Sequence, residues 1–196
     1  MNLKKWFYLF WTTLAVGAVS GVATGLFLQL TDQEFGFLEV SEVGFNVLTM
    51  LLGGLMFSAI SQMGFFAYLT LNYIGKGMFR SYWNLVQLGI IIITLFELGY
   101  LRYIYAEDNA PLVSFFVLPV VLGAGAVLVA LWKVRMTNSA AFVPTLLWMA
   151  AGTVLVSIPG LQQNNYATTL FITVPVFCCN AWQILKLHSI LKDKKS

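Results

Sequence analysis

Long apolar runs separated by short polar connectors make up this chain. Six runs read as helices: Trp6–Leu30, Phe45–Leu71, Trp83–Tyr105, Leu112–Trp132, Pro144–Pro159 and Ala167–Leu187. Their apolar residues are gathered into blocks, where a soluble helix would alternate an apolar and a polar face. A bilayer core about 30 Å thick is crossed by about 20 helical residues. Every run but the fifth reaches that length. The fifth is short between its two prolines and reaches it by starting earlier, near Ala140. The pattern predicts an all-α, polytopic membrane protein, a single bundle of six transmembrane helices over residues 1–196. The first run resembles a signal sequence behind Lys4 and Lys5, but a signal core spans only about 7–15 residues. Trp6–Leu30 is therefore read as a retained helix.

Composition agrees. The chain is 59% hydrophobic and 10% charged, where soluble domains carry about 25% charged residues. The connectors are too short to bury a core of their own, which excludes a separate soluble domain.

The charges then orient the bundle. Lys4, Lys5, Lys76, Arg80, Lys133, Arg135, Lys186, Lys192, Lys194 and Lys195 fall on one side of the six crossings, and Arg102 alone on the other. Basic residues of short connectors stay in the cytoplasm, so both termini are expected to be cytoplasmic. The acids Asp32, Glu34, Glu39, Glu42, Glu107 and Asp108 fall on the outer side. The tail lysines Lys192, Lys194 and Lys195 suit an anionic inner leaflet, at about 1 kcal/mol each.

Small residues mark helix packing. Gly17, Gly21 and Gly25 recur every fourth position, a flat strip that lets another helix backbone approach closely. It serves either intramolecular packing or contact with a partner helix. Gly54 and Ser58 form a second such pair, and the Gln62 amide nearby needs a hydrogen-bond partner in lipid.

The stretch from Asn72 to Tyr105 concentrates the polar chemistry. Gly75 and Gly77 bracket Lys76, allowing a tight turn between antiparallel helices. Phe79, Tyr82 and Trp83 surround Arg80, as interfacial aromatics do. The loop is either an anchor with orienting charges or a docking site for another protein, with Lys76, Arg80 and Trp83 as candidate contacts. Beyond it, the third run carries Gln87, Glu97 and Arg102. Glu97 and Arg102 are five positions apart, about 140° round a helix, so they do not face each other. Arg102 is expected to reach the outer surface. Glu97 is a buried acid bonded by Asn46, Thr49, Ser114, Thr153 or Ser157, a proton or cation site, or an interfacial group reaching water. Charge in such a place costs free energy unless it is paired or neutralised.

Catalytic chemistry is not visible. His188 sits beside a lysine-rich tail whose one acid is Asp193, and no metalloprotease, phosphate-loop, dinucleotide or nucleophile-elbow motif occurs. Adjacent Cys178 and Cys179 project about 100° apart and read as packing residues. No cofactor, metal or nucleic-acid partner is expected. Pro119 and Pro175 interrupt two helices, a pattern transporters use, but no matching pair occurs in the first half. A membrane regulator, a small ion- or proton-coupled transporter with Glu97 as its titrating group, and a lipid-handling enzyme remain, in that order.

The run Gly75-Lys-Gly-Met-Phe-Arg-Ser81, then Trp83-Asn-Leu-Val-Gln87 and Glu97-Leu-Gly-Tyr-Leu-Arg-Tyr103, resembles the KinB-signalling pathway activation family (KbaA-like) of spore-forming Gram-positive bacteria. Length, six spans and short connectors are similar too. The resemblance implies a non-enzymatic, multi-pass protein of the cell membrane. It would activate a membrane sensor histidine kinase that feeds the sporulation phosphorelay. The glycine strip or the third helix would meet the kinase's transmembrane helices, with the Lys76–Trp83 loop beside its cytoplasmic entry.

Overall fold

The computed structural model describes residues 3–31, 43–105, 112–162 and 165–192, and every regular element among them is helical. The helices are α1 (Leu3–Thr31), α2 (Val43–Phe79), α3 (Trp83–Ile104), α4 (Leu112–Met136), α5 (Phe142–Leu147), α6 (Thr153–Leu161) and α7 (Tyr166–Lys192). A π-helical turn, Trp148–Gly152, joins α5 to α6. With the 3-10 turn Ser139–Ala141 ahead of α5, this makes one span, Ser139–Leu161, so the fifth run does begin before Pro144. Among the described residues five stretches are long and apolar enough to cross a membrane, and one of them, Gly44–Ile104, is 61 residues long.

That long stretch is bent. The sequence reading ended the second helix at Leu71 and turned the chain at Gly75 and Gly77. Instead α2 runs through both glycines to Phe79. The turn falls at Arg80, whose φ of 47° is left-handed, followed by a 3-10 turn over Arg80–Tyr82. A helix can pass through glycine, whereas a left-handed residue stops it. The chain then folds back. Gly75 packs on Trp83, and Asn72 bonds Gln87, so α2 and α3 form an antiparallel hairpin.

Lys5 Nζ donates to the Ile190 carbonyl at 2.8 Å, and Lys133 Nζ to the Ile184 carbonyl. The start of α1, the end of α4 and the end of α7 therefore share one end of the bundle, where the lysines gather. Burial shows which helices are central: 50% of the most apolar part of Ser139–Leu161 is buried, against 28% for α1. Phe65, Leu98, Trp148, Met149 and Ala150 fill the core. Large apolar side chains such as Trp11, Met63, Ile92, Val120 and Leu155 stand exposed all round it. Apolar surface this extensive needs cover by lipid or protein.

Candidate functional site

The hairpin is built by one amide. Asn72 Oδ1 accepts from Trp83 Nε1 at 2.9 Å and from Gln87 Nε2 at 3.2 Å. Gly75 leaves the space that the buried Trp83 ring fills, since a Cβ there would run into that ring. Phe79 stacks on Trp83 with centroids 5.8 Å apart. Trp83 is thus an interior residue, not an exposed contact. Lys76 and Arg80 are exposed, beside exposed Tyr73, Met78 and Tyr82. The result is a packed turn with two exposed cations flanked by aromatic side chains.

Glu97 is not buried. It stands on the exposed side of α3, with no hydrogen-bond or ion-pair partner among the described residues. The expected partners are placed elsewhere. Thr153 and Ser157 belong to an interior network, Asn46 is buried without a bonding partner, and the Thr49 hydroxyl donates to the Phe45 carbonyl at 3.0 Å. The Ser114 side chain lies outside the described set. Arg102 does lie apart from Glu97. Its guanidinium sits 4.3 Å over the ring of Tyr166, at the start of α7.

The glycine strip is occupied within the chain. A Cβ on Gly17 would come within 2.6 Å of the Gly54 carbonyl oxygen, and one on Gly21 within 2.7 Å of Gly54 Cα. Gly25 meets Met50 in the same way. The strip is therefore filled by α2 and leaves no face for a partner helix. Gln62 is buried there, its Nε2 donating at 3.4 Å to both the Phe10 carbonyl and Ser58 Oγ.

The sequence reading missed a polar stripe along α7. Thr169, Thr173, Asn180 and Gln183 are all buried, spaced to fall on one helix face. Ser61 Oγ donates to Asn180 Oδ1 at 2.7 Å, and Asn180 Nδ2 donates to Thr153 Oγ1 at 3.0 Å. Gln183 Nε2 donates to Ser61 Oγ at 3.2 Å, and Thr173 Oγ1 to Ser157 Oγ at 3.0 Å. Trp148 Nε1 closes the set on the Asn180 carbonyl at 3.3 Å. The spacing of these polar positions by four, seven and three residues, within an apolar run, was the available signal. These bonds join α2, α6 and α7 in the interior of the bundle.

Among the described residues no group of three or more His, Cys, Asp or Glu could hold a metal. Cys178 and Cys179 are free thiols, and Cys179 Sγ lies 3.8 Å from the Thr13 carbonyl. Asp193, Lys194, Lys195 and the acidic connectors around Glu34, Glu39 and Glu107 lie outside the described residues.

The fold is a bundle of membrane-length helices, with polar groups spent on helix packing and a basic hairpin left exposed. The matches to known proteins then give the family. A family model described as KinB-signalling pathway activation in sporulation (KbaA) matches residues 17–190, and the chain belongs to that family. It is also 35% identical over 184 residues to the KinB-signaling pathway activation protein of Bacillus subtilis (strain 168), covering 91% of this chain and 92% of that protein. No solved structure matches the chain significantly.

Proposed function

We propose that this protein is a non-enzymatic, integral membrane activator of a KinB-type sensor histidine kinase that feeds the sporulation phosphorelay. The observation that carries the reading is its membership of the KinB-signalling activation family along nearly the whole chain. The chain crosses the membrane six times, with the long Gly44–Ile104 stretch divided at Arg80. Its lysine-rich end faces the cytoplasm, because basic residues near short connectors are retained there. Both termini lie on that side, and the tail lysines rest on anionic lipid. Contact with the kinase runs through the exposed side of α3 and the Lys76–Arg80 turn, which is consistent with α2 already occupying the glycine strip.

The test is autophosphorylation of the kinase in liposomes, alone and co-reconstituted with this protein. Stimulation that disappears when an unrelated six-helix protein replaces it supports activation by contact. Equal phosphorylation with and without it, at matched kinase levels, overturns the reading.

A further inference from the structure

Beyond the turn, α2 and α3 part, and the Ser139–Leu161 span floors the space between them. A cleft of about 360 Å³ opens there, lined by Gly64 and Ala67 of α2, Ile90 of α3, and Trp148, Ala151 and Gly152. Gly64, Ala67, Ala151 and Gly152 are small among larger apolar side chains such as Leu71 and Trp148, and at these small residues another helix backbone can come close and gain van der Waals contact. Glu97 is seven positions beyond Ile90, so it rises from the same face of α3, about 10 Å further along the helix. It is exposed and unpaired among the described residues. A carboxyl on the apolar outer side of a membrane helix is stabilised when a donor of opposite charge meets it.

We infer that the α2–α3 cleft seats a transmembrane helix of another protein, and that a Lys, Arg or His on that helix pairs with Glu97. This rests on the reading of the protein as a membrane regulator, and it names the contact. A second copy of this chain fits poorly. Arg102 is held over Tyr166, and the other described cations lie at the lysine-rich end or at the hairpin turn. A copy lying parallel in the bilayer would therefore bring no cation to the level of Glu97. A lipid chain would fill the cleft but would not answer the carboxylate.

The experiment is photocrosslinking in the host's own membranes, with the photoreactive residue at Ala67 or Leu155 and, as a control, at exposed Val19 of α1. The expected product joins Ala67 and Leu155 to a transmembrane peptide that contains a basic residue. Glu97→Leu should reduce that product by about tenfold or more, as loss of one member of a desolvated charge pair does. Glu97→Lys should restore it when the partner's basic residue is changed to Glu. Equal membrane levels and melting temperatures of the variants show that folding is intact.

Crosslinks to lipid only, to a second copy, or to a peptide without a basic residue overturn the inference. So does a product indifferent to Glu97→Leu. A Glu97-dependent product with a membrane protein that is not a sensor kinase keeps the cleft and removes the kinase reading. Kinase stimulation in liposomes that survives Glu97→Leu, with no crosslink, does the reverse.

Discussion

Arg102 of α3 lies over the ring of Tyr166 of α7, 4.3 Å from its centroid, and so joins the two helices at the end of the bundle opposite the lysines. The partner is the π face, since the ring of Tyr166 is what the guanidinium covers. Tyr166→Leu should lower stability by about 0.5–1 kcal/mol, the size of an exposed cation–π contact, while Tyr166→Phe stays close to the parent. Thermal unfolding in detergent checks both. An equal loss in Tyr166→Phe would assign the effect to the hydroxyl.

The Ser61–Asn180 bond links α2 to α7 in the interior. Asn180→Ala takes away the acceptor of the Ser61 hydroxyl, which still accepts from Gln183, and the amide donor to Thr153 Oγ1, and removes a buried side chain. A double-mutant cycle between Ser61→Ala and Asn180→Ala should give a coupling of about 0.6–1.7 kcal/mol, from the average to the largest found for hydrogen bonds between membrane helices. Additive losses would mean that the two side chains fill space independently.

The helical class was legible because apolar runs of membrane length leave little choice of fold. The family was legible too, from the residues around Lys76, Trp83 and Glu97. The turn was misplaced because glycine permits a bend without requiring one, and α2 passes through Gly75 and Gly77 unbroken. Glu97 was weighed as a buried acid because hydropathy gives depth along a helix and says nothing of rotation about it. Only the packed neighbours fix that rotation, and they put Leu98 and Gly99 inside with Glu97 out. Asn180 and Gln183 were missed for the converse reason. Neutral amides stand out less than charges, although their spacing with Thr169 and Thr173 marks one face.

Two glycines of α2 make a matched pair. A Cβ on Gly54 would strike the Gly17 carbonyl, whereas one on Gly77 meets nothing within 4 Å. Gly54→Ala should destabilise by at least about 1–3 kcal/mol, because the helix backbones must move apart. Gly77→Ala should be neutral or stabilise by about 0.5–1 kcal/mol, since it limits the unfolded chain at a helical site. Unfolding titrations of the two variants in mixed micelles test the contrast. Similar losses at both positions would remove the α1–α2 contact as the cause.

Arg80 lets stability and signalling be separated at the hairpin. Its left-handed φ of 47° costs a non-glycine residue about 1–2 kcal/mol, so Arg80→Gly should raise the melting temperature. Arg80→Gln keeps that strain and removes the charge. If the exposed cations engage the kinase, Arg80→Gly and the double variant Lys76→Gln with Arg80→Gln should both lower kinase output, although only the first gains stability. The lost charge is common to both variants and the backbone change is not. Kinase output measured at equal membrane levels decides between them. Output that follows the melting temperature would make the turn a structural hinge, and unchanged output in both would leave the contact to α3 alone.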